Sequence, residues 1–232
     1  MECAVGSGHG FVARHAAPAR HGSAPWHRGR ISGRVPFCVG TKRPRSVSLR
    51  LRADLQRGRL LELEALIRTI PDFPIPGIMF KDITPLLGDP AGFKATIDLF
   101  VDRYQNTGIE HVVAIEARGY MLGAPLAYRL GAGFVPVRKP GKLPAATYRE
   151  EYALEYGTNS LEIHADAVGR GAKTLIVDDL LATGGTASAT ARLLDRVGAD
   201  IVGFAFLIEL SFLDGRKTLE ELGHEVTAFI KY

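Results

Sequence analysis

The segment that decides the fold class is Thr174-Leu175-Ile176-Val177-Asp178-Asp179-Leu180-Leu181-Ala182-Thr183-Gly184-Gly185-Thr186. Its first four residues favour a β-strand and show no polar alternation, which is typical of a strand buried on both faces in a parallel sheet. Asp178 and Asp179 come at the carboxyl end of this strand, where open α/β sheets place their ligands. Because adjacent carboxylates repel each other, we expect a hydrogen-bond donor or a cation beside them. Ribose hydroxyls or a divalent cation would both serve.

The run that follows, from Ala182 to Thr186, predicts an anion-binding turn at the start of a helix over residues 187–197. Gly184 and Gly185 permit backbone angles that turn successive N–H groups inward, and the helix start adds its positive end. A loop of this kind binds phosphate. Thr183 and Thr186 can add hydroxyl donors, and Thr186 can also cap the helix.

A tight strand-to-helix turn with ordinary caps is the alternative interpretation of this run. The adjoining acidic pair favours the functional one, since a purely structural turn has no need of two carboxylates. The run also differs from two common nucleotide-binding motifs: it lacks the lysine of a P-loop and the spaced glycines of a dinucleotide fold. A sugar phosphate held by one loop fits the pattern.

The rest of the chain alternates between predicted strands and helices, which indicates an α/β fold with a mostly parallel central sheet flanked by helices. The further predicted strands are 111–115, 134–137, 160–163, one within 201–210, and 225–230. The further predicted helices are 55–69 with Asp54 as its cap, 90–104, one that follows residues 116–120 and ends near residue 130, and 216–222. We expect one domain over residues 54–232.

Residues 1–53 form a basic extension in which Glu2 is the one acidic residue. This segment has no sustained apolar period, so we expect it to be disordered. Its arginine-rich, acid-poor composition is also that of an organelle transit peptide. The chain carries a formal net charge of +4, but ten of its 29 Lys and Arg residues lie here against one of its 25 acids, so the rest of the chain is net negative. No nucleic-acid-reading module accompanies the charge, so we expect no nucleic-acid partner.

Both cysteines, Cys3 and Cys38, fall in this extension, which leaves the predicted domain without disulfides or thiolate metal sites. No apolar run approaches the ~20 residues that span a bilayer, so we expect no membrane contact. We predict a cytoplasmic protein, or a plastid or mitochondrial one if residues 1–53 are a transit peptide.

Two further segments carry charge where a ligand could lie. Arg118, at a glycine-containing strand-to-helix turn, suits a phosphate, although pairing with Glu116 at the surface is an equal alternative. The segment 138–157 is rich in charge, Pro and Gly and has too few apolar residues to pack firmly, which predicts a mobile flap. A solvated surface loop is its alternative, but basic residues at its root suit a lid that excludes water. His164 is interpreted as structural.

The segment Thr174 to Thr186 closely resembles the phosphoribosyl-pyrophosphate (PRPP) motif of type I phosphoribosyltransferases. From about residue 56 onward the chain resembles the adenine enzymes of that family, especially in residues 71–83, 138–144 and 154–157. The resemblance implies the type I fold and the conversion of adenine and PRPP into AMP and pyrophosphate, a purine salvage reaction. It also implies a homodimer, Mg²⁺ held mainly through PRPP and water, and a non-proline cis peptide at Ala117-Arg118.

The resemblance also implies roles for individual residues. Asp178 and Asp179 would hold the ribose hydroxyls, and the loop over residues 182–186 the 5′-phosphate. Glu155 would exchange a proton with the purine, and Arg118 would act in catalysis. The pyrophosphate-binding residues would be Arg118, Arg138, Lys139 and Lys142. The adenine-binding residues would be Met79, Phe80 and Lys81, largely through their backbone, with Phe80 and Leu180 as the two walls of the base pocket.

Two alternatives remain open. A related enzyme would use hypoxanthine, guanine or xanthine, but such relatives commonly show Glu-Asp in the PRPP motif, where this chain has Asp178-Asp179. A regulator of the same fold would bind PRPP without turnover. Such regulators add a DNA-reading domain, and residues 1–53 show no helix-turn-helix pattern.

Overall fold

The computed structural model describes residues 49–153 and 158–232, which lie in one compact unit. In chain order its elements are α1 (Leu49–Ala65), β1 (Arg68–Ile70), β2 (Phe80–Asp82), α2 (Thr84–Gly88), α3 (Pro90–Tyr104), β3 (His111–Ile115), α4 (Arg118–Leu130), β4 (Gly133–Val137), β5 (Thr147–Ala153), β6 (Thr158–His164), β7 (Lys173–Leu181), α5 (Gly185–Val197), β8 (Asp200–Glu209), a 3-10 helix (Ser211–Leu213), α6 (Gly215–Glu220) and β9 (Glu225–Lys231). The predicted extension, residues 1–53, falls mainly outside the described residues. The domain boundary at residue 54 stays a prediction.

A five-stranded sheet forms the centre of the fold, with strand order β4-β3-β7-β8-β9. Every neighbouring pair in it is parallel. Two antiparallel hairpins, β1-β2 and β5-β6, lie outside this sheet. The predicted α/β class with a mostly parallel central sheet is therefore confirmed.

Strand β7 is buried on both faces, as its unbroken apolar run predicts. Ile176 packs into one core cluster with residues of β6 and α5. Leu175 and Val177 point to the opposite face and pack with residues of α3 and α4. All three side chains are fully buried. Helices on both faces thus cover the sheet, which leaves its strand ends as the place for a ligand.

The first helix differs from its prediction. Helix α1 spans Leu49–Ala65, so Asp54 lies inside it and not at its cap. Thr69, expected in the helix, and the next residue, Ile70, belong to β1 and pair with Lys81 and Phe80. Pairing with β2 satisfies their backbone groups, and this tertiary contact outweighs the local helical pattern.

Part of the predicted flap is regular structure. Residues 147–153 form β5, which pairs along its whole length with β6, and β6 contains the predicted strand 160–163. Tyr152 is only 9% exposed and packs into the core, so the expectation that this part lacks packing is wrong. The remaining residues between the two strands, 154–157, lie outside the described residues, and with them Glu155.

Within the described ranges, none of the helices combines the length and the apolar character needed to cross a membrane.

Candidate active site

A cleft of about 320 Å³ opens at the carboxyl ends of β3 and β7. It gathers most of the residues that the sequence singles out, from segments far apart in the chain. The lining residues are Ile115, Glu116, Ala117, Arg118, Lys139, Tyr152, Asn159, Leu161, Phe206 and the whole run 178–187. The acidic pair (Asp178 and Asp179), the glycine loop (residues 182–186) and Arg118 therefore share one cavity.

The acidic pair lies within β7, because the strand continues past the predicted four residues as far as Leu181. Asp179 is 2% exposed and Asp178 is half-buried. The backbone N–H of Asp179 donates to Asp178 Oδ1 at 2.9 Å. Burial, and then the charge of Asp179, raise the pKa of Asp178 well above its ordinary value. Burial also raises the pKa of Asp179, and the Arg118 guanidinium partly offsets this. Such a pair is stabilised by hydroxyl donors or a cation.

Arg118 is the first residue of α4 and reaches across to the acidic pair. Its Nε lies 2.9 Å from Asp179 Oδ2, while the side chain remains 42% exposed. Gly119 permits this approach, because a Cβ at that residue would lie 2.9 Å from both Asp178 Oδ1 and Val177 O. The alternative, in which Arg118 pairs with Glu116, is therefore wrong.

A non-proline cis peptide does occur beside Arg118, but at Glu116-Ala117. The expected bond, Ala117-Arg118, is one residue too far along the chain. The sequence shows no feature that distinguishes the two neighbouring bonds. The predicted cis peptide is therefore in the correct turn but at the wrong peptide bond.

Glu116 binds the root of the predicted flap. Its Oε2 accepts from Arg138 Nε and from the backbone N–H of Lys139, each at 3.1 Å. Burial alone would raise the pKa of Glu116, but these two donors outweigh it and lower the pKa. Arg138 also donates to the Lys142 carbonyl at 3.2 Å. Of the three predicted flap bases, Lys139 lines the cleft, whereas Arg138 and Lys142 lie outside its lining.

The glycine loop closes the cleft at the start of α5. Gly184 caps the helix with a φ of +84°, which L-residues rarely adopt, and no side chain completes the cap. Thr186 lies inside the helix, so the expected capping role is wrong. The first N–H groups of a helix lack partners within it and carry its positive end, which suits a phosphate.

The start of helix α6 packs against the backbone of this loop. A Cβ at Gly215 would lie 2.0 Å from the Ala182 carbonyl oxygen, and one at Gly184 would lie 2.9 Å from Gly215 O. The two backbones therefore touch with no space for a side chain. This close contact fixes the loop backbone against α6.

Comparison with known proteins matches residues 83–229 to the phosphoribosyl transferase domain family. The chain is 57% identical over 172 residues to an adenine phosphoribosyltransferase from Acaryochloris marina, covering 74% of this chain and all of the relative. The chain belongs to the adenine phosphoribosyltransferase family. The family and the type I fold predicted from the sequence are thereby confirmed.

Solved structures of adenine phosphoribosyltransferases agree with this assignment. The enzyme from Thermoanaerobacter pseudethanolicus superposes with a TM-score of 0.72 at 54% identity, covering 75% of this chain and 99% of the other. The Saccharomyces cerevisiae enzyme superposes with a TM-score of 0.71 at 37% identity over the same shares. The yeast structure holds adenine and D-2,5-dideoxy-2,5-imino-altritol 1,6-bisphosphate.

The base-side residues expected in an adenine phosphoribosyltransferase differ in their relation to the cleft. Leu180 lines it, whereas Met79, Phe80 and Lys81 are outside its lining. The Phe80 ring centroid lies 5.3 Å from the Arg118 guanidinium carbon, a cation–π contact. Phe73 packs edge-on against Phe80, with ring centroids 5.1 Å apart. The predicted aromatic wall thus contacts the predicted catalytic arginine.

The Lys81 side chain contacts Tyr232 and Thr69, and these contacts hold the predicted adenine-binding segment, residues 79–81. Its Nζ lies 3.5 Å from the centroid of the Tyr232 ring and donates to Thr69 Oγ1 at 3.0 Å. The Lys81 side chain is therefore directed at Tyr232.

Among the cleft residues of this phosphoribosyltransferase to which sequence reasoning gave no role are Tyr152, Asn159 and Leu161. They belong to the β5-β6 hairpin, where Tyr152 and Asn159 face each other in the register. The alternation of Tyr148, Glu150 and Tyr152 was the available signal, since it places three side chains on one face of a strand.

Proposed function

We propose that this protein is a purine salvage enzyme that converts adenine and PRPP into AMP and pyrophosphate. The observation that carries the proposal is the assembly of Asp178, Asp179, Arg118 and the glycine loop in one cleft, in a chain that matches a complete adenine phosphoribosyltransferase at 57% identity. The related yeast enzyme binds adenine together with a bisphosphate sugar analogue.

The cleft suits a reaction in which positive charge develops at C1′ as pyrophosphate leaves. Catalysis then depends on stabilising the leaving group with donors that are in place before the bond breaks. Arg118 is such a donor, because Asp179 fixes its Nε while the side chain remains partly exposed to the cleft. Lys139 adds a second cation to the lining.

The acidic pair and the glycine loop would hold the sugar phosphate at its two ends. Carboxylates of raised pKa accept strongly from hydroxyls, which suits the ribose 2′ and 3′ positions. The N–H groups at the start of α5, with the Thr183 and Thr186 hydroxyls, supply donors for the 5′-phosphate. Holding both ends restricts movement to C1′, which migrates between pyrophosphate and base.

Mg²⁺ belongs to this proposal as the ion that neutralises the diphosphate of PRPP. In the described ranges, no group of three or more His, Cys, Asp or Glu side chains could hold a metal. The acidic pair can supply carboxylate oxygens, which Mg²⁺ prefers, while PRPP and water complete its shell. The donor set therefore fits an ion that arrives with the substrate.

On the base side, adenine would lie between Phe80 and Leu180. The backbone of Met79, Phe80 and Lys81 would form hydrogen bonds with its edge. Glu155, outside the described residues, would exchange a proton with the purine. These roles rest on the family resemblance.

We also propose a homodimer and a cytoplasmic location. Met121, Tyr128 and Phe134, on α4 and β4, are 45%, 86% and 37% exposed, and apolar side chains at that exposure favour a protein partner. Sedimentation would report a mass near twice 25.1 kDa. The bacterial relative supports the cytoplasm, and cell fractionation would detect the alternative of import into a plastid or mitochondrion.

The decisive experiment measures pyrophosphate release by the full chain with PRPP, Mg²⁺ and each purine in turn. We expect turnover with adenine and none with hypoxanthine or guanine. The Asp178→Asn/Asp179→Asn variant should be inactive, because neutral amides replace both carboxylates and one oxygen of each becomes a donor nitrogen. Binding of PRPP without turnover on any base would overturn the enzyme proposal in favour of a sensor.

A further inference from the structure

We propose that Tyr152 is a positioning residue that orients the Thr186 hydroxyl toward the 5′-phosphate. This inference rests on the proposed function, since it assigns a partner to the phosphate site of that reaction. Tyr152 lies on β5 and Thr186 in the first turn of α5. Both line the cleft, and their hydroxyl oxygens are 3.3 Å apart.

Strand β5 lies along α5, and three contacts fix their alignment. Thr186 meets Tyr152, Arg192 Nε bonds Glu150 Oε1 at 2.6 Å, and Arg196 lies over the Tyr148 ring at 4.7 Å. Tyr152 also packs against α5 in the core, where Ala187 and Ala189 belong to the same cluster. The phenol is therefore held by its ring, so its hydroxyl has a fixed place beside Thr186.

The chemistry of the two hydroxyls decides which of them donates the hydrogen when phosphate is bound. Each can donate one hydrogen and accept others. A phosphate dianion is acceptor-only, so Thr186 can bind it only by donating its own hydrogen to it. Tyr152 can then donate to Thr186 Oγ1, which completes a chain from phenol to threonine to phosphate. Consecutive hydrogen bonds of this kind strengthen one another.

The same contact links the phosphate site to the flap. Tyr152 is the last residue but one of β5, and the segment carrying Glu155 begins directly after the strand. A phosphate that fixes Thr186 therefore also fixes the end of β5. The hydroxyl of Tyr152 thus contributes to ordering the strand from which the predicted proton-transfer residue follows.

The test compares Tyr152→Phe with Tyr148→Phe in the full chain. Both variants lose a phenolic hydroxyl from the same face of β5 and keep the ring, but Tyr148 lies outside the cleft lining. We expect Tyr152→Phe to raise KM for PRPP and Kd for AMP about 3- to 10-fold. This is the scale of one hydrogen bond in a series that ends on a charged phosphate. Kd for adenine, which lacks the phosphate, should not change. Tyr148→Phe should match the parent protein throughout.

A double-mutant cycle separates positioning from general destabilisation. If Tyr152 acts through Thr186, Tyr152→Phe/Thr186→Val should bind AMP no more weakly than Thr186→Val alone, whereas Thr186→Ser should keep the dependence on Tyr152. Additive losses, or equal effects on AMP and adenine, would overturn the inference. Binding of AMP is measured without turnover, so an inactive parent protein would count against the proposed function and leave this result readable.

Discussion

Arg118 Nε lies 2.9 Å from Asp179 Oδ2, and this ion pair joins the start of α4 to the end of β7 across the cleft. Asp179 is 3% exposed in its side chain and Arg118 is 42% exposed. The buried carboxylate thus orients an arginine whose remaining N–H groups are accessible to a ligand.

From this pair we predict that Arg118→Lys lowers kcat about 100-fold, because a lysine keeps the charge but loses the planar fork that spans Asp179 and pyrophosphate. Steady-state kinetics with adenine and PRPP would measure it. Arg129→Lys is the matched control: it lies at the other end of α4 and pairs with Asp98 at 2.8 Å. Equal rates for the two variants would contradict the role of Arg118.

The second prediction concerns stability and pH. Burial and the charge of Asp179 raise the pKa of Asp178 above 3.8, so the folded chain holds this proton more tightly than the unfolded chain does. The resulting stabilisation is complete below pH 3.8 and is lost as pH rises through the folded pKa. Ionised Asp178 therefore destabilises the fold at neutral pH.

Asp178→Asn should accordingly raise the free energy of unfolding at pH 7 by about 0.5–2 kcal/mol while abolishing turnover. Urea unfolding between pH 7 and pH 5 would show the parent protein gaining more stability than the variant, in which Asp179 alone retains a raised pKa. The window ends near pH 5 because Glu116 and Glu209, whose pKa values lie below 4.5, lose their stabilising contribution at lower pH. Asp195→Asn, at an exposed residue of α5, should follow the parent protein.

Gly215→Ala should weaken PRPP binding and destabilise the fold by about 1–3 kcal/mol, because the new methyl group would overlap the Ala182 carbonyl. Calorimetry with PRPP and thermal unfolding would measure the two effects. Gly169→Ala provides the comparison, since a Cβ there meets no atom within 4 Å. Unchanged PRPP affinity in Gly215→Ala would show that α6 does not hold the loop.

Tyr232→Leu should raise KM for adenine about 2- to 5-fold and leave KM for PRPP unchanged. The Lys81 Nζ lies 3.5 Å from the Tyr232 ring centroid, and such a contact stabilises by about 0.5–1 kcal/mol at an exposed site. Tyr232→Phe keeps the ring and should behave like the parent protein. A phenylalanine variant as weak as the leucine variant would rule out the aromatic contact as the cause.

Local patterns predicted much of this structure. Helix α3 and strand β3 occupy the residues that their apolar spacing indicates, and the acid pair and glycine loop share one cleft, as their order in the chain suggests. Contacts between distant segments were the part that a single sequence could not supply. Thr69 leaves the helical pattern because it pairs with Lys81, and Tyr152 reaches the cleft only because β5 lies along α5.

The strand order has a consequence for how the protein is made. Strand β7 lies between β3 and β8 in the sheet, yet β4, β5 and β6 separate it from β3 along the chain. During synthesis the cleft residues that follow β3 therefore leave the ribosome well before those of β7. Until β7 emerges, one edge of β3 has no partner strand. A nascent chain that stalls before Lys173 would expose that edge to chaperones, and it would bind no nucleotide until β7 emerged and filled the gap.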